Sequence, residues 1–176
     1  ALRDHAGLAE ATATYLARHA GDVRPGAACV AVAGPVTDDG RFQLTNAHWS
    51  GSAEEVRADL GLDHVELIND FEALALALPT LQPGDLRVLG ERAPGGQTPA
   101  AVLGPGTGLG VAALVRAGER LVAIPSEGGH VDLPATTPRE LELAAMLREE
   151  HGTAEAERLL SGEGMTRLYE LIARMH

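Results

Sequence analysis

The chain contains no lysine: all 14 of its basic residues are arginine. That excludes any chemistry requiring a lysine from this chain, such as a Schiff base or a P-loop ammonium. Cysteine is nearly as scarce. Cys29 stands alone inside an apolar run, so neither an intrachain disulfide nor a cysteine-built metal site can form. A reducing cytoplasm is the compartment that this cysteine usage suits. Positive charge is in short supply overall: 25 acids face those 14 bases, for a net charge of −11. Nucleic acid and anionic membrane are therefore poor main partners. No apolar run approaches the length of a membrane span, and no stretch reads as a signal peptide.

What is present is a chain of 176 residues, 45% hydrophobic, enough for one large domain or two small ones. Leu8, Thr12, Tyr15, Leu16 and His19 recur at helical spacing, with Gly21 as the stop. Ala27 to Ala33 is a short apolar run closed by Gly34-Pro35, which predicts a buried strand. Asp38-Asp39-Gly40 signals a turn, and Arg41 to Asn46 alternates as a strand would, with Phe42 and Leu44 on one face. Ser52-Ala53-Glu54-Glu55 is a capping box opening a helix that Gly61 closes.

Residues 78–98 change in texture, with Pro79, Pro83-Gly84 and Ala93-Pro94-Gly95-Gly96 as punctuation. This predicts a crossing between two lobes, residues 1–80 and 81–176, or equally a long surface loop. A strand follows from Pro99 to Leu103, then a hairpin of Val111–Val115 and Leu121–Ile124 around Ala117-Gly118. Thr137-Pro138-Arg139-Glu140 is a second capping box, opening a helix to about Glu150. A short helix over Ala154–Leu160, a break at Gly162 and Gly164, and a last helix over Met165–Met175 complete the reading. The alternation of strands and helices makes this a mixed α/β protein.

Several stretches carry groups that could do chemistry. In Glu66-Leu67-Ile68-Asn69-Asp70-Phe71, a β-prone run ends in two polar residues just before a helical pattern. Ligands of open α/β sheets gather beyond the carboxyl ends of strands, so Asp70 is placed as a general base and Asn69 beside it as a substrate contact. The plainer reading is that Asp70 caps the following helix. Gly104 to Gly110 holds four glycines in seven residues, directly after a strand. Such a loop can cradle an anion on backbone N–H groups, with the Thr107 hydroxyl as a further donor, or it can be a tight turn and nothing more. It lacks the Gly-Lys-Ser/Thr ending of a Walker loop. In Ser126-Glu127-Gly128-Gly129-His130, a double glycine frees the backbone so that Glu127 and His130 could converge on a small polar ligand, and both suit vicinal hydroxyls; the plainer reading is a surface acid and a satisfied histidine. No cysteine and no paired histidine stands near enough to suggest a metal. Glu157, beside Arg158, reads by itself as a solvated helix face.

Taken in order, Leu44-Thr45-Asn46-Ala47-His48-Trp49, Leu67 to Phe71, Leu103 to Gly110, Glu127-Gly128-Gly129-His130-Val131-Asp132 and Ala156-Glu157-Arg158-Leu159-Leu160-Ser161-Gly162 resemble the bacterial ATP-dependent glucokinase family over nearly the whole chain. The repressor-type sugar kinases are a poorer match, since their cysteine-rich zinc motif has no counterpart here. The resemblance implies an actin-like, ribonuclease-H-like α/β ATPase fold in two lobes that close over sugar and nucleotide. It implies that Asp70 takes the proton of the glucose 6-hydroxyl, and that Asn69, Asp70, Gly108, Glu127, His130 and Glu157 contact the sugar. It places Gly104, Gly106, Thr107 and Gly108 at the ATP phosphates. It also implies Mg²⁺, positioned by an aspartate of an Asp-x-Gly-Gly-Thr loop that would precede residue 1, and a homodimer. Neither that loop nor the family's closing adenosine-binding segment has a counterpart here. The expectation is therefore an incomplete fold, the central portion of a glucokinase, with little turnover alone. Two alternatives stay open: a sugar-binding module without catalysis, and a kinase for another hexose.

Overall fold

A computed structural model describes residues 2–44, 47–90 and 99–175. Thr45 and Asn46, within the first matching motif, and residues 91–98, within the expected crossing, lie outside the described residues. The chain divides into two compact units, Ala1–Ala73 and Leu74–His176.

The first unit opens with helix α1 (Leu8–His19), after which Gly21 turns at φ +57°. Strand β1 (Ala27–Val32) pairs in parallel with β4 (His64–Asn69), Ala27 opposite His64 and Val32 opposite Asn69. A parallel pair needs a crossover, supplied here by a small antiparallel ladder and a helix. The ladder joins β2 (Arg41–Gln43) to β3 (Ser50–Ser52), with Phe42 opposite Gly51. Gly40, at φ +73°, makes the turn into β2 and donates its N–H to the Thr37 carbonyl. Helix α2 (Ala53–Leu60) starts at the expected box: Glu55 N–H donates to Ser52 Oγ at 3.2 Å, and Ser52 N–H to a Glu55 carboxylate oxygen at 2.8 Å. Gly61, at φ +63°, closes it.

Val32, Phe42, Val56, Leu62, Val65 and Leu67 form the core of this unit. The buried strand expected over Ala27–Ala33 is only half right. Ala28, Val30 and Val32 pack on the core, whereas Cys29 is exposed. Period-2 side chains on a two-stranded sheet covered on one side leave alternate residues outside.

Strand β4 runs straight into helix α3 (Asp70–Ala77), which ends before the 3₁₀ turn Leu78–Thr80 containing Pro79. The second unit is built on an antiparallel meander of β5 (Ala100–Pro105), β6 (Leu109–Ala117) and β7 (Arg120–Ser126). The β6–β7 hairpin turns at Gly118, φ +65°. Helix α4 (Pro138–His151) begins at the second capping box and ends at Gly152, φ +79°. Helix α5 (Gly162–Arg174) is capped by Ser161, whose Oγ accepts Gly164 N–H at 3.1 Å. Leu143, Ala144, Leu147, Ala154, Leu159 and Leu171 form the core between these helices.

Two helical expectations need correction here. Residues 154–160 do not form a helix. Leu133 N–H donates to Ala154 O and Ala156 N–H to Val131 O, so the segment is drawn into extended pairing and only Ala156–Arg158 makes a 3₁₀ turn. The last helix also starts earlier than Met165. Gly162 and Gly164 lie in its first turn, and Gly164 is there because a Cβ would stand 2.6 Å from the Leu159 carbonyl carbon.

Candidate functional site

At the end of β4, the polar pair has a division of labour that differs from the plainer sequence reading. Asn69, not Asp70, caps α3: its Oδ1 accepts Phe71 N–H at 2.9 Å and Glu72 N–H at 3.3 Å. Its Nδ2 donates to the Gly34 carbonyl at 3.2 Å, tying the ends of β1 and β4 together. An amide nitrogen carries two donors, and Gly34 takes one. Asp70 is the first helical residue, half-buried, with Oδ1 accepting Phe71 N–H at 3.0 Å. A carboxylate in the first turn of a helix is favoured by the local dipole. Strand β4 fixes both residues because Val65 and Leu67 are buried in the core.

The second group lies entirely within the second unit. Gly106 N–H donates to Gly108 O at 2.7 Å and closes the turn between β5 and β6. Gly104 stands within β5, opposite Gly110 of β6, so the turn proper is Gly106-Thr107-Gly108. This turn is stitched to the segment before α5. Leu109 N–H donates to Glu157 Oε2 at 2.8 Å, and Gly162 N–H to Gly106 O at 2.8 Å. A side chain at Gly108 would collide with that Glu157 carboxylate. A Cβ at Gly106 would meet nothing within 4 Å, so this side of the turn is open.

The 3₁₀ turn Gly128–His130 packs against the start of β6. A Cβ at Gly129 would collide with the Leu109 carbonyl, and one at Gly128 would press on the Val111 side chain. The double glycine is thus needed for close approach; neither glycine stands at positive φ, so the expected backbone freedom is not what it supplies. It delivers His130 beside Glu155: Nδ1 lies 3.0 Å from Glu155 Oε2, while Nε2 lies 3.7 Å from Glu127 Oε2. The bond to Glu155 raises the His130 pKa above its ordinary 6.5, with the charges of Glu157, Glu155 and Glu127 adding to it against partial burial. Reciprocally, Glu155 is held below the usual glutamate value, first by His130 and then by Thr153.

Glu157 is half-buried on the 3₁₀ turn Ala156–Arg158 and bonded to a neighbouring backbone, not spread on a solvated helix face. The structure therefore brings Gly108, Glu127, His130 and Glu157 of the second unit together, beside Gly106 and Thr107. Glu155 belongs to this cluster but escaped the sequence reading. Its signal is a period of two: Ala154 and Ala156 are buried while Glu155 and Glu157 are partly exposed, the mark of an extended segment. Among the described residues no group of three or more His, Cys, Asp or Glu is placed to hold a metal ion. No helix among them is long and apolar enough to cross a membrane.

Solved glucokinases define the class of fold. A crystal structure of glucokinase from an Antarctic psychrotroph matches with a TM-score of 0.84 at 37% identity, over 99% of this chain and 53% of that one. A glucokinase from Balamuthia mandrillaris, solved in complex with glucose, matches with a TM-score of 0.69 over 94% of this chain and 51% of that one. At 21% identity, this second likeness concerns the fold alone. The fold is thus the α/β ATPase-like fold of glucokinases. The profile of the family described as Glucokinase matches residues 1–176. The glucokinase of Aromatoleum aromaticum is 46% identical over 172 residues, 98% of this chain and 52% of that protein. That of Erwinia tasmaniensis is 42% identical over 171 residues, 97% of this chain and 52% of that protein. The chain belongs to the glucokinase family, and it spans about half the length of the curated relatives it matches.

Proposed function

We infer that this chain serves an ATP-dependent glucokinase, which transfers the γ-phosphoryl group of ATP to the 6-hydroxyl of glucose. The observation that carries this reading is the meeting of Glu127, His130 and Glu157 around the Gly106–Gly108 turn. Acceptors and an imidazole suited to vicinal hydroxyls stand beside a turn whose backbone can meet phosphate. Family membership over all 176 residues supports it independently.

In this reading Asp70 orients the 6-hydroxyl and takes its proton as that oxygen bonds to the γ-phosphorus, while the bond from the γ-phosphorus to the β,γ-bridging oxygen breaks and ADP leaves. Phosphoryl transfer asks the protein mainly for such positioning and for charge stabilisation. The Asn69 amide keeps one N–H for Gly34 and offers the other to a sugar hydroxyl. Glu127, His130 and Glu157 bind further hydroxyls, with the backbone at Gly108 beside them. Once a bound sugar covers them, polar partners of this kind disfavour analogues lacking a hydroxyl, because they would be left unpaired. Gly104, Gly106, Thr107 and Gly108 stand at the ATP phosphates, with Thr107 offering its hydroxyl; the Gly106 N–H itself is already given to Gly108 O. ATP supplies the phosphoryl group, and Mg²⁺ its charge neutralisation. The described residues offer no Mg²⁺ ligand cluster. A cytoplasmic setting and a homodimer complete the proposal.

The test is calorimetric titration with glucose, together with a coupled assay for glucose 6-phosphate using glucose, mannose, fructose and N-acetylglucosamine. Because the chain spans about half of its relatives, turnover is measured with the reading frame taken at their length. Glucose binding with ATP-dependent turnover supports the reading. Binding without turnover identifies a sugar-binding module instead, and preference for another hexose reassigns the substrate.

A further inference from the structure

The side chain of Glu155 is more firmly built into the fold than the glutamate on the other side of the histidine. It is 20% exposed, against 85% for Glu127 and 51% for His130 itself. Its backbone lies between two hydrogen bonds to the segment after His130, Leu133 N–H to Ala154 O and Ala156 N–H to Val131 O, at 2.7 and 2.9 Å. Its second carboxylate oxygen accepts the Thr153 hydroxyl at 2.9 Å, and Thr153 Oγ1 in turn accepts Arg158 Nε at 3.2 Å. Arg158 Nε also lies 3.8 Å from Glu155 Oε2, and the Arg158 carbonyl is held by Arg167 Nη1 at 2.8 Å. A carboxylate clamped in this way has one lone-pair direction committed to His130 Nδ1, 3.0 Å away.

An ionised carboxylate can only accept. The nitrogen facing Glu155 must therefore carry the proton, and in the neutral ring the other nitrogen is then bare. That other nitrogen, Nε2, is 3.7 Å from Glu127 Oε2, too far for a direct hydrogen bond. We propose that Glu155 is a positioning residue that holds neutral His130 in its Nδ1–H tautomer, so that Nε2 is presented as a hydrogen-bond acceptor to a sugar hydroxyl. This deepens the glucokinase reading and rests on it for the identity of the ligand, but not for the tautomer. The arrangement parallels the way an outer carboxylate fixes the ring of a metal-bound histidine, with a hydroxyl in place of the metal. The charged groups facing the ring are Glu127 on its own 3₁₀ turn, and Glu155, Glu157 and Arg158 on the segment packed against it.

The experiment is long-range ¹H–¹⁵N spectroscopy of the ¹⁵N-histidine-labelled 176-residue chain across pH, in wild type, Glu155→Gln and Glu155→Ala, with glucose affinity measured alongside. Wild type is expected to carry the neutral-state proton of His130 on Nδ1 and to titrate above pH 6.5. Glu155→Gln keeps an acceptor without the charge, so it keeps the tautomer while its midpoint falls toward 6.5. Glu155→Ala gives a mixture of tautomers and binds glucose several-fold more weakly. A merely structural Glu155 would leave tautomer and midpoint untouched in both variants. A wild-type proton on Nε2, which needs no variant to observe, overturns the proposal, as does an unchanged tautomer in a folded Glu155→Ala protein. If wild type shows the Nδ1–H form but binds no glucose, the positioning stands and the sugar reading fails.

Discussion

Glu157 Oε2 accepts the backbone N–H of Leu109 across 2.8 Å, and this bond fixes the glycine turn relative to the acidic segment before α5. It joins residues 48 positions apart in sequence and orients a carboxylate that would otherwise be one more surface acid. The absent side chain at Gly108 makes the approach possible. Turn and carboxylate are thus one structural unit, and a change in either should be read out at the other.

Gly108→Ala tests that unit. The new methyl collides with the Glu157 carboxylate, which must leave Leu109 N–H. The expected outcome is a folded protein less stable by roughly 1.5–3 kcal/mol, the worth of a hydrogen bond to a charged group, and with weaker glucose binding because the carboxylate has moved. Calorimetric titration beside circular dichroism checks it. Unchanged affinity in the folded variant removes the turn–carboxylate coupling from sugar binding.

Asn69 has two structural duties that can be separated. Asn69→Asp preserves the cap of α3, because aspartate caps about as well as asparagine. It also replaces the donor to the Gly34 carbonyl with a second acceptor. Leaving that carbonyl unsatisfied, with an ion beside it, is expected to lower stability by about 1–3 kcal/mol. Urea unfolding of the variant against wild type measures this, and equal midpoints would show that the Asn69–Gly34 bond contributes nothing.

The start of α4 should carry an acid-side signature. Glu140 is held down to about 2 from its ordinary 4.5 by the backbone N–H groups of Thr137 and Thr136, with their hydroxyls adding to it. A depressed folded pKa stabilises fully above the unfolded value, and that stability is lost as pH falls through the folded one. Thermal melting of wild type should therefore fall from about pH 4.5 toward about pH 2 more steeply than that of Glu140→Gln. Parallel curves for the two proteins over that window would contradict the assignment.

The fold was legible where local chemistry is decisive. Both capping boxes, at Ser52–Glu55 and Thr137–Glu140, open helices where the letters place them, because a cap is satisfied within one turn. The hairpin at Ala117-Gly118 is similarly local. Legibility ended where tertiary pairing overrode helical propensity. Ala154 to Leu160 has the composition of a helix, yet its backbone is claimed by Val131 and Leu133. Glu155 is invisible to helical periodicity for the same reason, since its partner His130 lies 25 residues away.

The polar residues divided in the same way. Strand-end placement marked Asn69 and Asp70, but no sequence rule says which of two adjacent polar residues will cap. The Gly34 carbonyl, brought alongside by the parallel register of β1 and β4, draws in the Asn69 amide and orients its Oδ1 toward the helix. In sequence Gly128-Gly129 suggests backbone freedom, whereas what demands glycine there is the closeness of Leu109 and Val111.

Asp70→Asn is the most direct test of the central claim, that Asp70 takes the proton of the attacking hydroxyl. Because Asn69 is the cap and an asparagine oxygen can still accept Phe71 N–H, the substitution should leave folding and glucose affinity nearly intact. Turnover in the coupled assay, at the length of the relatives, should fall by about 10²–10⁴-fold, the usual worth of a general base. Glucose 6-phosphate formed at the wild-type rate by a folded, glucose-binding Asp70→Asn protein would contradict it.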